Sequence, residues 1–175
     1  QIEGKKINNT QQLNDANKRM NNAMVQPVLT EMMKNKEAAE IKLEWQQKVI
    51  NFKGFADLLT TFNGRKCIVD TKTTNDAGKR FERDLYYNDY KMQLAMYQDQ
   101  YDDDTDSYIV AIETTTPFNV QIYKLDDSLL FKGWMDYDYY TDKFKEWTGE
   151  HRGYWSDIVE VKTEKEEILW KKLQS

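Results

Sequence analysis

The stretch that decides the fold runs from residue 54 to residue 72 and reads GFADLLTTFNGRKCIVDTK. Two runs with strand character flank Asn63-Gly64, the dipeptide most typical of a two-residue hairpin turn, because both turn residues must tolerate positive φ. With a turn of that length, counting outward along both strands places Asp57 opposite Asp70. The sequence therefore predicts a β-hairpin in which two aspartates are cross-strand partners.

Two carboxylates in that arrangement need a compensating charge. Directly opposed side chains have β-carbons about 4.5 to 5.5 Å apart, and like charges there destabilise a sheet. A hard divalent cation such as Mg²⁺ or Mn²⁺ takes carboxylate oxygens as ligands and removes the repulsion. Lys72 follows Asp70 by two residues, so an extended strand places its side chain on the same face, about 6.6 Å further along.

Carboxylates that hold a metal beside a lysine suit the hydrolysis of a phosphodiester. The metal lowers the pKa of a bound water, and the ammonium orients that water or stabilises the charge that builds on the phosphate. The alternative is a solvated strand end, since Asp and Lys are common there and a bulge or a three-residue loop would break the register. The hairpin alone leaves both interpretations open.

The composition is that of a folded domain. Hydrophobic residues make up 39% of the 175 residues and aromatic residues 13%, which is too apolar for a disordered polymer. The length suits one domain, residues 1–175, and because the chain begins with Gln1 we expect a fragment that lacks an N-terminal segment. One cysteine and one histidine exclude a zinc site of the Cys/His kind, so any metal must be held by oxygen.

The sequence predicts no membrane contact. No run approaches the roughly 18 apolar residues of a membrane span, and the first residues are not those of a signal peptide. We therefore expect a cytoplasmic protein, in a bacterium or in a host infected by phage.

Charge is segregated along the chain. The net charge is −5, which gives no overall attraction to a polyanion. The acidic clusters are Asp99, Asp102, Asp103, Asp104 and Asp106, followed by Asp126, Asp127, Asp136, Asp138 and Asp142. The basic residues gather at Arg65, Lys66, Lys72, Lys79, Arg80 and Arg83. DNA is therefore expected to approach the hairpin and the loop before the next helix, while the acidic segments face away.

The spacing of apolar residues predicts an α/β or α+β domain, in which strands lie between helices. Helical spacing covers residues 10–36 with a break at Gln26-Pro27, residues 80–100 and residues 126–147. Alternation predicts strands at residues 39–46 and 49–52, at 55–62 and 65–72 in the hairpin, and at 108–113 and 120–125. A charged tail at residues 160–172 carries a few apolar residues that could dock on the domain.

Three motifs in series resemble those of the PD-(D/E)XK nuclease superfamily, in its RecB-like branch. They are Gly54-Phe55-Ala56-Asp57, Ile68-Val69-Asp70-Thr71-Lys72-Thr73-Thr74 and Gln93-Leu94-Ala95-Met96-Tyr97. The resemblance extends from about residue 9 to residue 159. Within the superfamily, the sequence is most similar to the nuclease domain of exodeoxyribonuclease VIII and its phage relatives. It implies a restriction-endonuclease-like core with a mixed central sheet flanked by helices.

The resemblance also implies roles for the hairpin residues. Asp57 and Asp70 would be metal ligands, the main-chain carbonyl of Thr71 a further ligand, and Lys72 the catalytic lysine. The implied cofactor is Mg²⁺ or Mn²⁺. This agrees with the argument from the hairpin register.

Four side chains are candidates for contact with DNA, namely Gln93, Tyr97, Tyr90 and Arg80. The first two match the motif that the branch places beside the active site and the DNA strand. Packing in an aromatic stripe is the alternative for residues at this helical spacing, and it is the arrangement we expect for Tyr86.

The chain departs from the family pattern in two places. Family members carry a histidine in an upstream Gly-x-x-x-His segment that contributes to the metal site, and this sequence has none; His151 lies far toward the C-terminus and is expected in a solvated loop. Phe55 stands where the family often has a basic residue that contacts phosphate. Glu40 is either an additional ligand or a surface carboxylate, and Glu113 has no assigned role.

The leading hypothesis is a metal-dependent deoxyribonuclease, an exonuclease that acts on duplex ends in phage-type recombination. The resemblance implies a ring-like homo-oligomer around DNA and a single-strand annealing recombinase as partner. The alternatives are another RecB-like nuclease, without the iron–sulfur cluster that needs four cysteines, and a degenerate nuclease fold that only binds DNA or a partner protein. Cleavage polarity and the preference for duplex or single strand do not follow from these residues.

Overall fold

The computed structural model describes residues 10–101 and 104–150. The elements of this part of the chain are α1 (Thr10–Met24), α2 (Pro27–Lys34), β1 (Lys36–Gln47), β2 (Ile50–Phe62), β3 (Arg65–Thr74), α3 (Lys79–Tyr87), α4 (Tyr90–Gln98), β4 (Asp106–Glu113), β5 (Val120–Lys124) and α5 (Asp127–Glu150). None of these helices is long and apolar enough to cross a membrane. His151 and the charged tail lie outside the described residues.

The strands form one mixed sheet in the order β1-β2-β3-β4-β5. Neighbouring strands are antiparallel except β3 and β4, which are parallel, so the chain crosses over between them through α3 and α4. A parallel pair requires such a crossover, whereas the antiparallel pairs are joined by short turns. The predicted α+β class is confirmed.

Helices cover both faces of the sheet and produce two cores. One core lies under α3, α4 and the first turns of α5, and contains Ile68, Phe81, Leu94, Ile109 and Leu130. The other lies under α1 and α2, and contains Leu29, Met32, Val69, Tyr108 and Val110. β4 is covered on both sides and reads as a nearly continuous apolar run from Tyr108 to Ile112, whereas β3 has only Cys67, Ile68 and Val69 in succession. Chain contacts divide the protein into residues 1–141, which hold the sheet, and residues 142–175.

Two predicted element boundaries were wrong. The helix expected over residues 80–100 is interrupted after Tyr87, where α3 ends, because Asp89 adopts a left-handed backbone with φ of 54°. The two strands expected at residues 49–52 and 55–62 are one continuous strand, β2, in which Gly54 is accommodated. The break predicted at Gln26-Pro27 is confirmed, since α1 ends at Met24 and Pro27 begins α2.

Gly133 allows α5 to pack directly on the start of α4. A β-carbon built at this position would collide with the main-chain carbonyl of Lys91 and would lie 3.0 Å from the amide nitrogen of Met92. The contact is between two backbones, so no side chain can move aside to relieve it. Close packing here holds the helix that carries Gln93.

Gly133→Ala is expected to destabilise the protein by about 1–3 kcal/mol, the usual cost of an overpacked contact. The sign is diagnostic, because the same change in an unconstrained helix usually stabilises by about 1 kcal/mol. Thermal and urea unfolding monitored by circular dichroism measures the difference. Lys132→Ala, at the exposed neighbouring position, serves as the control and should change stability by no more than about 0.5 kcal/mol. A rise in the midpoint for Gly133→Ala would contradict the packing described.

Candidate active site

The central hairpin forms with the predicted register and then opens. The pairing runs from Phe62 opposite Arg65 to Leu58 opposite Val69, as the two-residue turn requires. Beyond that point, β2 continues to pair only with β1, while β3 continues along β4 as far as Thr74. The sheet therefore forks, and the next residue on each strand is an aspartate. The expected direct pair of Asp57 and Asp70 is not part of the ladder, because the strands have begun to separate.

Asp57 lies at an irregularity in β2. Ala56 and Leu59 pack in the same core, although residues an odd number of positions apart point to opposite faces of a regular strand. The facing residue on β1 is Glu40, whose φ is 51°, and the pair it would form with Asp57 is missing from the ladder. Freed from both ladders, the Asp57 carboxylate accepts a hydrogen bond of 2.6 Å from the amide of Thr71 across the fork.

Asp70 is a buried carboxylate, only 3% exposed. Its Oδ1 accepts a hydrogen bond of 3.2 Å from Gln93 Nε2. Its Oδ2 lies 2.5 Å from Lys72 Nζ, yet accepts no hydrogen bond with good angles. Burial raises the pKa of Asp70, the Lys72 ammonium opposes that shift, and the carboxylate of Asp57 adds to it. Positive charge at the fork therefore favours the ionised form of this group.

Lys72 is held between the strand and α4. Its ammonium donates a 2.9 Å hydrogen bond to Gln93 Oε1 and lies 5.1 Å from the ring centre of Tyr90. Since Gln93 also contacts Asp70, the predicted placement of Lys72 and Asp70 on one face of β3 is confirmed. The Gln93 amide links the two charged groups of the strand.

Tyr97 lies one helical turn after Gln93 on α4 and forms a hydrogen bond with it. Its hydroxyl accepts a 3.0 Å hydrogen bond from Gln93 Nε2, and the side chain is 7% exposed. A β-carbon at Gly54 would come within 2.5 Å of the Tyr97 ring, so only glycine leaves room for the ring at this position. The first and third sequence motifs therefore touch each other, which explains why a glycine precedes Asp57.

These residues converge in the way that one family of enzymes requires. The sequence profile of the PD-(D/E)XK nuclease superfamily matches residues 2–167, nearly the whole chain. The chain belongs to the PD-(D/E)XK nuclease superfamily. A search of curated proteins by sequence finds no significant match.

The chain is similar in fold to a crystal structure from Eubacterium rectale of a protein provisionally named an exonuclease. The TM-score is 0.63 at 13% identity, and the match covers 89% of this chain and 64% of that one. At that identity the similarity shows the fold alone, which is restriction-endonuclease-like, as expected from the sequence. A second solved structure, of the protein SSO0001, gives a TM-score of 0.35 at 19% identity, with 57% of this chain and 48% of that one covered.

The donors at the fork fit a divalent cation of the kind that PD-(D/E)XK nucleases generally use. Asp57 and Asp70 offer carboxylate oxygens, and Asp70 Oδ2 has no hydrogen bond to lose. Within residues 10–101 and 104–150, no three Asp, Glu, His or Cys side chains lie close enough to form a complete protein cage. Mg²⁺ suits such an arrangement, because it keeps several waters and needs only one or two carboxylates.

The two glutamates without an assigned role have different surroundings. Glu40 is exposed, and its backbone has a positive φ of 51°. Among the described residues, Glu40 does not join Asp57 and Asp70 as a third carboxylate near a metal. Glu113 is 7% exposed and accepts hydrogen bonds from the amides of Ala77 (3.1 Å) and Asn119 (3.0 Å). Burial by itself would raise the pKa of Glu113, but these donors outweigh it and lower the pKa. Glu113 therefore fixes two loops, a role that the sequence did not indicate.

The basic residues of the hairpin turn and of α3 differ in their pairing. Arg65 at the hairpin turn pairs with Asp106 at 3.1 Å and with Asp104 at 3.7 Å. The expectation that this acidic segment faces away from the hairpin was therefore wrong, because β4 runs beside β3 and carries Asp106 to Arg65. In contrast, the three cations of α3 form no salt bridge with any residue in the described ranges; they are Lys79, Arg80 and Arg83.

A groove of about 400 Å³ lies between α3 and the end of β3, beside the fork. Arg80, Asp84 and Tyr90 line it, together with Thr73 and Asn88. Two of the four residues expected to contact DNA thus lie at this groove. The other two, Gln93 and Tyr97, lie at the fork itself.

Proposed function

We propose that this nuclease hydrolyses DNA phosphodiester bonds with Mg²⁺ or Mn²⁺ bound by Asp57 and Asp70, and that it acts as an exonuclease on duplex ends. The observation that supports the proposal is the convergence of Asp57, Asp70 and Lys72 at a fork in the sheet, with Gln93 joining the last two. The main-chain carbonyl of Thr71 is a further proposed ligand.

The roles follow from what each side chain can do. Asp57 and Asp70 would hold a divalent cation, and that cation would supply charge to polarise the phosphate and activate the attacking water. The Lys72 ammonium stabilises negative charge that develops on the phosphate, and Gln93 Oε1 orients that ammonium through their hydrogen bond. Water attacks phosphorus, the bond to the leaving sugar oxygen breaks, and that oxygen takes up a proton.

End-labelled linear duplex and closed circular DNA, incubated separately with the full chain and Mg²⁺, test this proposal. We expect release of short products from the linear duplex, no change in the circle, and no cleavage when EDTA replaces Mg²⁺. Nicking of the closed circle would show endonuclease activity and would contradict the assignment as an exonuclease. Binding without any cleavage by the full chain would favour the degenerate, DNA-binding alternative.

The biological setting is also a proposal. We place the activity in phage-type recombination in the bacterial cytoplasm, where the duplex ends that it would process are found, with a homo-oligomer around DNA and an annealing recombinase as partner. The chain spans 64% of the length of the E. rectale structure. Light scattering of the protein with and without linear duplex measures the oligomer, and a monomer under both conditions would contradict it.

A further inference from the structure

Helix α3 has an apolar face and a face suited to nucleic acid. Phe81 and Leu85 are buried in the core. With 3.6 residues per turn, the side chains within about 60° of Arg83 on the opposite side are Lys79, Arg80, Tyr86 and Tyr87. Tyr86 is 55% exposed and Tyr87 is 81% exposed, so the expected packing of Tyr86 was wrong. The acidic residues of the helix, Glu82 and Asp84, lie about 100° to either side of Arg83.

The charge on this face is not neutralised by the described residues. Some lysine and arginine side chains elsewhere pair with carboxylates, such as Lys91 with Asp136 at 2.8 Å and Lys124 with Asp106 at 2.7 Å. The cations of α3 have no such partner within residues 10–101 and 104–150. A protein with a net charge of −5 therefore presents a local basic surface beside two exposed aromatic rings.

The face is connected to the fork through aromatic packing. The ring of Phe81 stacks on that of Tyr90 with centroids 5.8 Å apart and planes 22° apart. The Lys72 ammonium lies over the ring of Tyr90. Arg80 and Tyr90 line the same groove, together with Asp84 and with Thr73, the residue after Lys72. The groove therefore lies beside the fork and extends to Arg80, at the edge of the outer face of α3.

We propose that this face, the α3 strip (Lys79, Arg80, Arg83, Tyr86 and Tyr87), binds single-stranded DNA next to the active site. The cations would bind phosphates, and the tyrosine rings would stack on bases. Unpaired bases expose the π-faces that aromatic side chains bind, whereas bases in a duplex are already stacked on each other. The inference rests on the proposed function, since it takes DNA as the substrate, and it adds a preference for unpaired strand at one side of the site.

The test is binding of a labelled oligo-dT and of a blunt duplex, measured by fluorescence anisotropy with the full chain in EDTA so that nothing is cut. Tyr86→Ala/Tyr87→Ala should weaken oligo-dT binding by about tenfold or more and change duplex binding by less than about threefold. The dependence of oligo-dT affinity on salt should be the same in this variant as in the unchanged protein, because no phosphate contact is lost. Tyr86→Phe/Tyr87→Phe should bind like the unchanged protein, since the rings remain.

A charge variant separates phosphate binding from stacking. Arg83→Gln should weaken binding of both DNAs and reduce the slope of log affinity against log salt by about 0.7 for the single strand. Phe131→Ala, which removes a ring that is 61% exposed on α5, is the matched control and should leave both affinities unchanged. All these positions are exposed, so the thermal midpoints should agree.

Three results would overturn the α3 strip: no binding of oligo-dT by the unchanged protein, normal binding by the double alanine variant, or equal loss of single-strand and duplex binding in that variant. The proposed function can fail separately. Asp70→Asn should keep oligo-dT binding in EDTA while losing Mg²⁺-dependent cleavage. If the unchanged protein cleaves DNA and the double alanine variant binds oligo-dT normally, the proposed nuclease activity stands and single-strand binding by the α3 strip is rejected.

Discussion

Asp70→Asn is expected to weaken the binding of Mg²⁺ and Mn²⁺ by more than about 100-fold and to abolish measurable cleavage. Loss of a group that merely orients a metal ligand costs about 10–100-fold in affinity, and a carboxylate that binds the ion directly should cost more. Calorimetric titration of the full chain with either ion, without DNA, measures the affinity. Asp57→Asn is expected to show a similar loss, since its amide oxygen can still accept the hydrogen bond from Thr71 but carries no charge.

The matched control for these two variants is Asp99→Asn. Asp99 is an exposed aspartate at the end of α4 and lies outside the fork. The Asp99→Asn variant should bind both ions with the same affinity as the unchanged protein. Equal affinity in Asp70→Asn, Asp57→Asn and the control would reject the assignment of the metal to the fork.

Lys72→Ala is expected to slow hydrolysis by about 10² or more, the effect of removing one group that stabilises transition-state charge. Metal affinity should remain at least as high as in the unchanged protein, because the ammonium lies 2.5 Å from an oxygen that the ion would use. Single-turnover cleavage at saturating Mg²⁺ measures the rate, and calorimetry measures the affinity. The two readouts separate a lysine that acts on the phosphate from one that only balances the charge of Asp70.

Lys66→Ala is the matched control, because Lys66 lies on the same strand and is exposed near the turn. Its rate should stay within a few-fold of the unchanged protein. A similar rate for Lys72→Ala would mean that the lysine is not catalytic. A loss of metal affinity that accounts for the whole loss of rate would instead make it a structural partner of Asp70.

Local sequence signals were sufficient for the central hairpin. Asn63-Gly64 determined the turn, and a turn of two residues fixes the register of everything that follows, because side chains alternate with a period of two. This is why Leu58 and Val69 could be paired correctly before the structure was known. The same argument failed one residue further on, at Asp57 and Asp70, because strand separation depends on how β1 and β4 bind the outer edges of the hairpin.

Helix spacing predicted which residues share a face but not whether that face is covered. Tyr86 and Tyr97 both fit an aromatic stripe, yet Tyr86 is exposed and Tyr97 is buried. The left-handed residue Asp89 separates their helices and turns α4 toward the sheet. At the start of α4, the backbone contacts Gly133 of α5, which lies more than 40 positions away in the sequence.

The sequence by itself determined the hairpin, its register, the identity of the charged residues at its open end and their family motif, because each depends on contacts between positions close in the chain. Only the tertiary structure decided that Gln93 bridges Asp70 and Lys72, that Glu113 ties two loops, and that Arg65 is neutralised by Asp106. These contacts join residues from 6 to 41 positions apart in the sequence. The physical reason is that such pairs are brought together by the burial of apolar faces against the sheet, and that burial has no preferred sequence separation.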